Sequence, residues 1–196
     1  MKTIFFDWGG VIADDPGDDF LMQLLTDIGA SQDQINNIMK SHMSDFMRGK
    51  ISEQGYWNAL KENFGLLIHD SITDEFKKWS GLQANEEVLA LVSEAKEKGW
   101  QTAILSNVIP PTYSVLKEAG FYEKFDGIIA SCEVGFAKPD QEIYDIALDT
   151  LRTSAHESVF IDDKQKNLDP AKKMGFKVIL AENPTQIIRD IKAVIQ

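Results

Sequence analysis

Asp7 stands directly after the apolar run Ile4-Phe5-Phe6, and Trp8-Gly9-Gly10 follow it. A carboxylate at the end of a buried run sits against apolar surface, so it must be paired or used. The two glycines let the backbone turn sharply and approach a ligand closely. An aspartate capping a turn would look the same in isolation. Asp162 and Asp163 follow Val159-Phe160-Ile161 in the same way. Adjacent carboxylates brought beside Asp7 repel one another unless a cation lies among them. Hard oxygen donors in small number suit Mg²⁺, which keeps several waters and takes one or two carboxylates plus substrate phosphate. Capping of the next helix is the plainer role for this pair.

Ser106 and Asn107 end the run Thr102-Ala103-Ile104-Leu105. A hydroxyl, an amide and backbone N–H groups there are suited to phosphate oxygens. Serine and asparagine are also ordinary helix caps. Lys138, in Gly135-Phe136-Ala137-Lys138-Pro139-Asp140, offers a cation that offsets charge on Asp7 and on a transferred phosphoryl group. A lysine taken alone is a solvated surface residue; the company of the other motifs is what raises it.

These positions need a frame that brings them together. Five short apolar runs, Lys2–Phe6, Thr102–Leu105, Gly127–Ala130, Ser158–Ile161 and Lys177–Leu180, read as strands buried on both faces. Helical patterns alternate with them: Glu86–Lys98 ahead of Gly99, Val115–Ala119 ahead of Gly120, Pro139–Leu151 with proline in the first turn, Leu168–Met174 ahead of Gly175, and Pro184–Ile195. Alternating β and α predicts an α/β fold, a Rossmann-like parallel sheet in three layers. Between Asp18 and Leu82 the rhythm breaks. Phe20–Ile28, Asp33–Met47, Glu53–Phe64 and Thr73–Trp79 all read as helices, without an intervening strand. The expected organisation is a core of residues 1–17 and 82–196 with a helical-bundle cap, residues 18–81, inserted after the first strand. In an open α/β sheet the site lies at the carboxyl ends of the strands, where Asp7, Ser106 and Asp162-Asp163 all fall.

A net charge of −11 over 196 residues argues against nucleic-acid and anionic-membrane partners, which need a basic face. An anionic small substrate would then depend on local cations or a metal. The single cysteine, Cys132, forms no intrachain disulfide and reads as a half-buried free thiol. His42, His69 and His156 lack metal-ligand spacing and read as structural or surface residues. No apolar run approaches the ~20 residues that span a bilayer. The amino terminus runs straight into a strand without a leader pattern, so the default expectation is a cytoplasmic protein, monomer or homodimer.

Four motifs occur in one order: FFDWGGV at Phe5–Val11, LSN at Leu105–Asn107, GFAKPD at Gly135–Asp140 and FIDDKQKN at Phe160–Asn167. In them the chain resembles the haloacid dehalogenase superfamily with a helical cap after the first strand, over essentially its whole length. Within that superfamily it is most similar to bacterial glucose-1-phosphate phosphatases and to the amino-terminal phosphatase domain of soluble epoxide hydrolase, which share a segment like Met47-Arg48-Gly49-Lys50-Ile51-Ser52. The resemblance implies a Mg²⁺-dependent phosphatase of a small phosphorylated metabolite. In it Asp7 forms an aspartyl-phosphate, splitting hydrolysis into two steps. Ser106 and Asn107 hold phosphoryl oxygens, and Lys138 positions Asp7 and the phosphate. Asp7, the carbonyl of Gly9 and Asp163 bind the metal, with Asp162 either a further ligand or a residue orienting metal waters. Asn167 supports the same loop.

Gly9 departs from the pattern, since most of these phosphatases carry an aspartate there as general acid and base. Such help is typically worth ~10²–10⁴-fold. Three readings compete. One is a phosphatase whose leaving group needs little protonation, such as a sugar 1-phosphate, or one in which Asp14 or Asp15 substitutes. The second is a 2-haloacid dehalogenase, which needs no metal and leaves the Asp162-Asp163 pair unexplained. The third is a non-catalytic binding or regulatory protein, against which the retention of Asp7, Ser106, Lys138 and Asp163 together argues. In the cap, Arg48 is a candidate to reach substrate hydroxyl or phosphate, or else a cation at a helix carboxyl end. Trp8 is expected to line the cavity or to pack, and Phe46, Tyr56, Trp57 and Phe64 to form cap core rather than a substrate platform.

Overall fold

The computed structural model describes residues 2–14, 17–66 and 83–196, with the side chains of 17–21 outside the description. The helix expected over Thr73–Trp79, together with His69 and Asp15, lies outside these residues. The strands form one parallel sheet in the order β3-β2-β1-β4-β5. β1 (Thr3–Phe6) is central, between β2 (Gln101–Ser106) and β4 (Ser158–Asp162). β3 (Gly127–Ala130) flanks β2, and β5 (Lys177–Leu180) flanks β4. The chain builds outward from β1 to β3 and then crosses to β4, so the order switches between β1 and β4. Ligands bind beyond the carboxyl ends of strands at such a switch.

Strand alternation gives the sheet two apolar faces. Ile4, Phe6, Ile104 and Ile161 point to one face. There they pack with Val88, Leu91, Val92 and Ala95 of α5 (Glu86–Glu97) and Ile187 and Ile191 of α10 (Pro184–Val194). Phe5, Ala103, Leu105 and Phe160 point to the other, against Ile143, Tyr144 and Ala147 of α8 (Gln141–Leu151) and Leu168 and Ala171 of α9 (Gln165–Met174). These are the three layers expected. The middle layer is buried on both sides, as a parallel sheet requires.

Two helix starts differ from the sequence expectation. α6 runs Pro110–Glu118, with prolines filling the first turn where their missing N–H costs nothing, and the single turn α7 (Ser131–Val134) follows β3. α8 begins at Gln141 with Asp140 as its N-cap, so Pro139 lies ahead of the helix, after a cis Lys138-Pro139 bond. The cause is local. The Asn107 side chain binds both the N–H and the C=O of Lys138, which holds this stretch in a loop.

Between β1 and α5 lie α1 (Gly17–Asp27), α2 (Gln32–Ser41), α3 (Met43–Met47) and α4 (Glu53–Phe64). The expected single helix over Asp33–Met47 is thus two, meeting at His42. Ser31 and Ser52 cap α2 and α4, and Gly65 ends α4 in the left-handed conformation. These helices share an apolar cluster of their own, with Leu25, Ile35, Ile38, Phe46, Tyr56, Trp57 and Leu60 at its centre. The Phe46 and Tyr56 rings stack at 4.3 Å. Phe46, Tyr56 and Trp57 are buried in this cluster, and Phe64 is half-buried against it.

Candidate active site

The register of β1 with β2 and β4 brings the polar strand ends to one level. Phe6 pairs with Ile104 and Ile161, so Asp7 lies between Leu105 and Asp162, and its N–H donates to the Ile161 carbonyl at 2.9 Å. Asp7 is 7% exposed, and its Oδ1 accepts the Trp8 N–H at 2.7 Å. Lys138 Nζ, on a residue only 3% exposed, reaches Asp7 Oδ2 at 2.9 Å, Asp162 Oδ2 at 2.6 Å and the Leu105 carbonyl at 2.9 Å. Its cation also lies 5.3 Å above the Phe160 ring. Burial pushes the Asp7 carboxyl up to about 6, against the pull of Lys138 and a hydrogen bond with Ser106, while Asp162 adds to the rise.

Asp162 is fully buried and saturated. Oδ1 accepts from the Lys164 N–H at 2.8 Å and Asn167 Nδ2 at 2.9 Å, and Oδ2 accepts from Lys138 and again from Asn167. Asn167 is held in turn, its carbonyl accepting the Tyr144 hydroxyl at 2.6 Å. Asp163 is half-buried, and its carboxylate presses on Gly10, where an added Cβ would come within 2.6–2.8 Å of it. Gly10 also has φ +73°, so glycine is required on both counts.

Among the described residues, Asp7, Asp162 and Asp163 offer carboxylate oxygens within 4.8 Å of one another. Three carboxylates against the one ammonium of Lys138 leave two negative charges, a balance that a divalent cation completes. The all-oxygen donor set is that of a hard ion such as Mg²⁺. A buried carboxylate beside a fixed cation is a setting in which a carboxylate can act as a nucleophile toward an electrophilic, anionic group.

The profile of haloacid dehalogenase-like hydrolases matches residues 1–175. The chain is a haloacid dehalogenase-like hydrolase. It is 31% identical over 178 residues to a sesquiterpene phosphatase of Aspergillus oryzae, covering 89% of this chain and 87% of that one. It is 32% identical over 142 residues to bifunctional epoxide hydrolase 2 of Rattus norvegicus, covering 69% of this chain but only 24% of that larger protein. A solved wild-type enzyme of the same family from Bacteroides thetaiotaomicron, in complex with magnesium and inorganic phosphate, superposes with a TM-score of 0.76 at 20% identity. The match covers 93% of this chain and 96% of that one.

The structure of this hydrolase gathers Asp7, Gly9, Ser106, Asn107, Lys138, Asp162 and Asp163 at the sheet's carboxyl edge. It gives several of them particular partners. The Asn107 amide is spent on the Lys138 backbone, at 2.8 and 2.9 Å. Arg48, which follows α3, places Nη2 and Nε on Asp140 Oδ2 at 2.7 and 3.3 Å and turns Nη1 to Ser44. Trp8 is buried edge-on against Phe121 and Tyr122. Asp14 is exposed. Cys132 is half-buried, and burial pushes its thiol up to about 12. No helix among the described residues is long and apolar enough to cross a membrane.

Sequence reasoning missed Tyr144, Ser131 and the pairing role of Asp140. Asp140 was within a quoted motif. Tyr144 and Ser131 follow common apolar and helix-start patterns and carry no signal of their own.

Proposed function

We propose that this hydrolase is a Mg²⁺-dependent phosphatase of a small phosphorylated metabolite, working through an aspartyl-phosphate on Asp7. The observation that carries the proposal is the buried Asp7 carboxylate held against Lys138, with two more carboxylates within 4.8 Å. The phosphatase relative and the magnesium and phosphate of the Bacteroides enzyme support it. Asp7 attacks phosphorus. Its oxygen–phosphorus bond forms as the bond to the leaving oxygen breaks, and water then attacks phosphorus and returns the carboxylate. Lys138 keeps Asp7 ionised and stabilises charge on the phosphoryl oxygens. Ser106 and the Asn107 backbone receive those oxygens, while the Asn107 side chain fixes the Lys138 loop. Asp7, Asp163 and the Gly9 carbonyl would hold Mg²⁺, and Asp162 orients Lys138. There the ion would supply charge that offsets the carboxylates and Lewis-acid polarisation of the phosphoryl group. Residues 18–81 act as a cap over a core of 1–17 and 82–196, and set the substrate.

Gly9 favours a leaving oxygen that departs without a proton, and a sugar 1-phosphate fits. Turnover of p-nitrophenyl phosphate in Mg²⁺, lost in EDTA and restored by returning the ion, is the expected result. Absence of metal-dependent turnover would leave a binding protein, and chloride release from 2-chloropropionate in EDTA a dehalogenase. With turnover established, glucose 1-phosphate and an allylic prenyl phosphate are compared with glucose 6-phosphate. Faster turnover of the 6-phosphate contradicts the leaving-group argument.

A further inference from the structure

The turn Met47-Arg48-Gly49 joins the inserted helices to the core at three points, and two of them lead to loops that carry site residues. Arg48 binds Asp140 Oδ2, the same oxygen that accepts the Ala137 N–H at 3.4 Å. The Asp140 N–H returns to the Ala137 carbonyl at 2.8 Å, so Asp140 closes a tight loop around Lys138. The Met47 carbonyl accepts the Ser131 hydroxyl at 2.7 Å, and that buried oxygen accepts the Val108 N–H at 3.0 Å. Val108 follows Asn107, whose amide grips Lys138 on both sides. Gly49, at φ +64°, lies so close to the Cys132 carbonyl that any Cβ would overlap it.

We infer that Arg48 is a positioning residue: through Asp140 it holds the 137–140 loop, and so sets Lys138 Nζ between Asp7 and Asp162. It thereby makes the placement of the catalytic lysine depend on the seating of the inserted helices. This differs from a contact with substrate, because the guanidinium is engaged by Asp140 and Ser44. An exposed ion pair would carry little weight. Arg48 and Asp140 are only 20% and 34% exposed at the side chain and are anchored at further points, so the pair acts on geometry more than on stability.

The kinetic readout rests on the phosphatase reading, whereas amide exchange does not, so both are measured in Arg48→Ala, Arg48→Lys, Asp140→Asn and Arg48→Ala/Asp140→Asn. With p-nitrophenyl phosphate, Arg48→Ala and Asp140→Asn each lower kcat about tenfold while KM stays within about twofold, since a small displacement of a catalytic group acts on the chemical step. Arg48→Lys recovers part of the loss, and the double variant falls no further than the worse single one. The amides of Ala137, Lys138 and Asp140 exchange about tenfold faster in Arg48→Ala, and not in Lys98→Ala, which breaks an exposed pair with Glu94. A raised KM with unchanged kcat, silent Asp140→Asn and additive effects would make Arg48 a substrate contact and overturn the inference. Unchanged exchange at 137–140 overturns it as well, as does a lowered melting point with kcat and exchange intact. If the wild type shows no metal-dependent turnover, the phosphatase reading fails and the exchange comparison alone decides this one.

Discussion

Gly9→Asp raises turnover of an alkyl phosphate such as glycerol phosphate far more than that of p-nitrophenyl phosphate. The expected gain reaches toward the ~10²–10⁴-fold range of a well-placed general acid. The reason is that position 9, two residues after Asp7, carries no side chain to donate a proton. Among the described residues, Asp162 and Asp163 are the carboxylates clustered with Asp7. Asp162 is already engaged by Lys138, Lys164 and Asn167. Asp14 faces solvent. An alkoxide leaving group therefore departs unassisted in the wild type, while p-nitrophenolate, already a stable anion, needs no help. The ratio of kcat/KM for the two substrates, measured for both proteins, checks this. Equal narrow ratios in both would mean that another group supplies the proton.

Lys138→Met damages stability and catalysis together, and the two losses are separable by metal and pH. The lysine is the cation shared by two buried carboxylates, at 2.9 and 2.6 Å. Removing one partner of a buried ion pair costs about 3–5 kcal/mol. At about 2–4 °C per kcal/mol for a chain of this size, the metal-free melting point falls by roughly 6–20 °C. The pH dependence has a definite sign. Asp7 already titrates near 6 in the fold against an ordinary 3.8, because burial disfavours its charge. Its contribution to stability is thus present below about 3.8 and is lost as pH rises through about 6. Without Lys138 the Asp7 carboxyl moves higher still, so the deficit of the variant is small at pH 4 and grows toward neutrality. Mg²⁺ restores part of the melting point. It does not restore turnover, which falls ~10²–10³-fold for loss of a preorganised charge. Melting curves at several pH values, with and without Mg²⁺, test the first part, and kcat tests the second.

The strands, the chemistry at their ends and the three-layer frame were legible because parallel strands are short apolar runs and three of the five lead into a polar residue at the carboxyl edge of the sheet. Asp7, Ser106 and Asp162 announce themselves in that way. Side-chain direction was not legible. Arg48 and Asp140 are 92 positions apart, and only the seating of α3 against the start of α8 brings them together. The Asn107 amide reads as a phosphate ligand by type, yet the loop returning at Lys138 claims both its donor and its acceptor. The same capture explains Pro139. Proline in a first helical turn is a sound local expectation, and a long-range hydrogen bond overrides it. Asp162 and Asp163 are adjacent and alike in sequence, but the backbone turns one into the buried Lys138–Asn167 network and the other toward Gly10.

The most direct measurement is the rate of p-nitrophenyl phosphate hydrolysis in Mg²⁺ by the wild type and by Asp7→Asn, purified alike and shown to melt as folded proteins. Asparagine keeps the size of the side chain and removes the nucleophilic carboxylate, so the expected result is metal-dependent turnover in the wild type and none above background in the variant. Equal turnover in the two proteins would show that Asp7 does not attack phosphorus, and would contradict the aspartyl-phosphate mechanism.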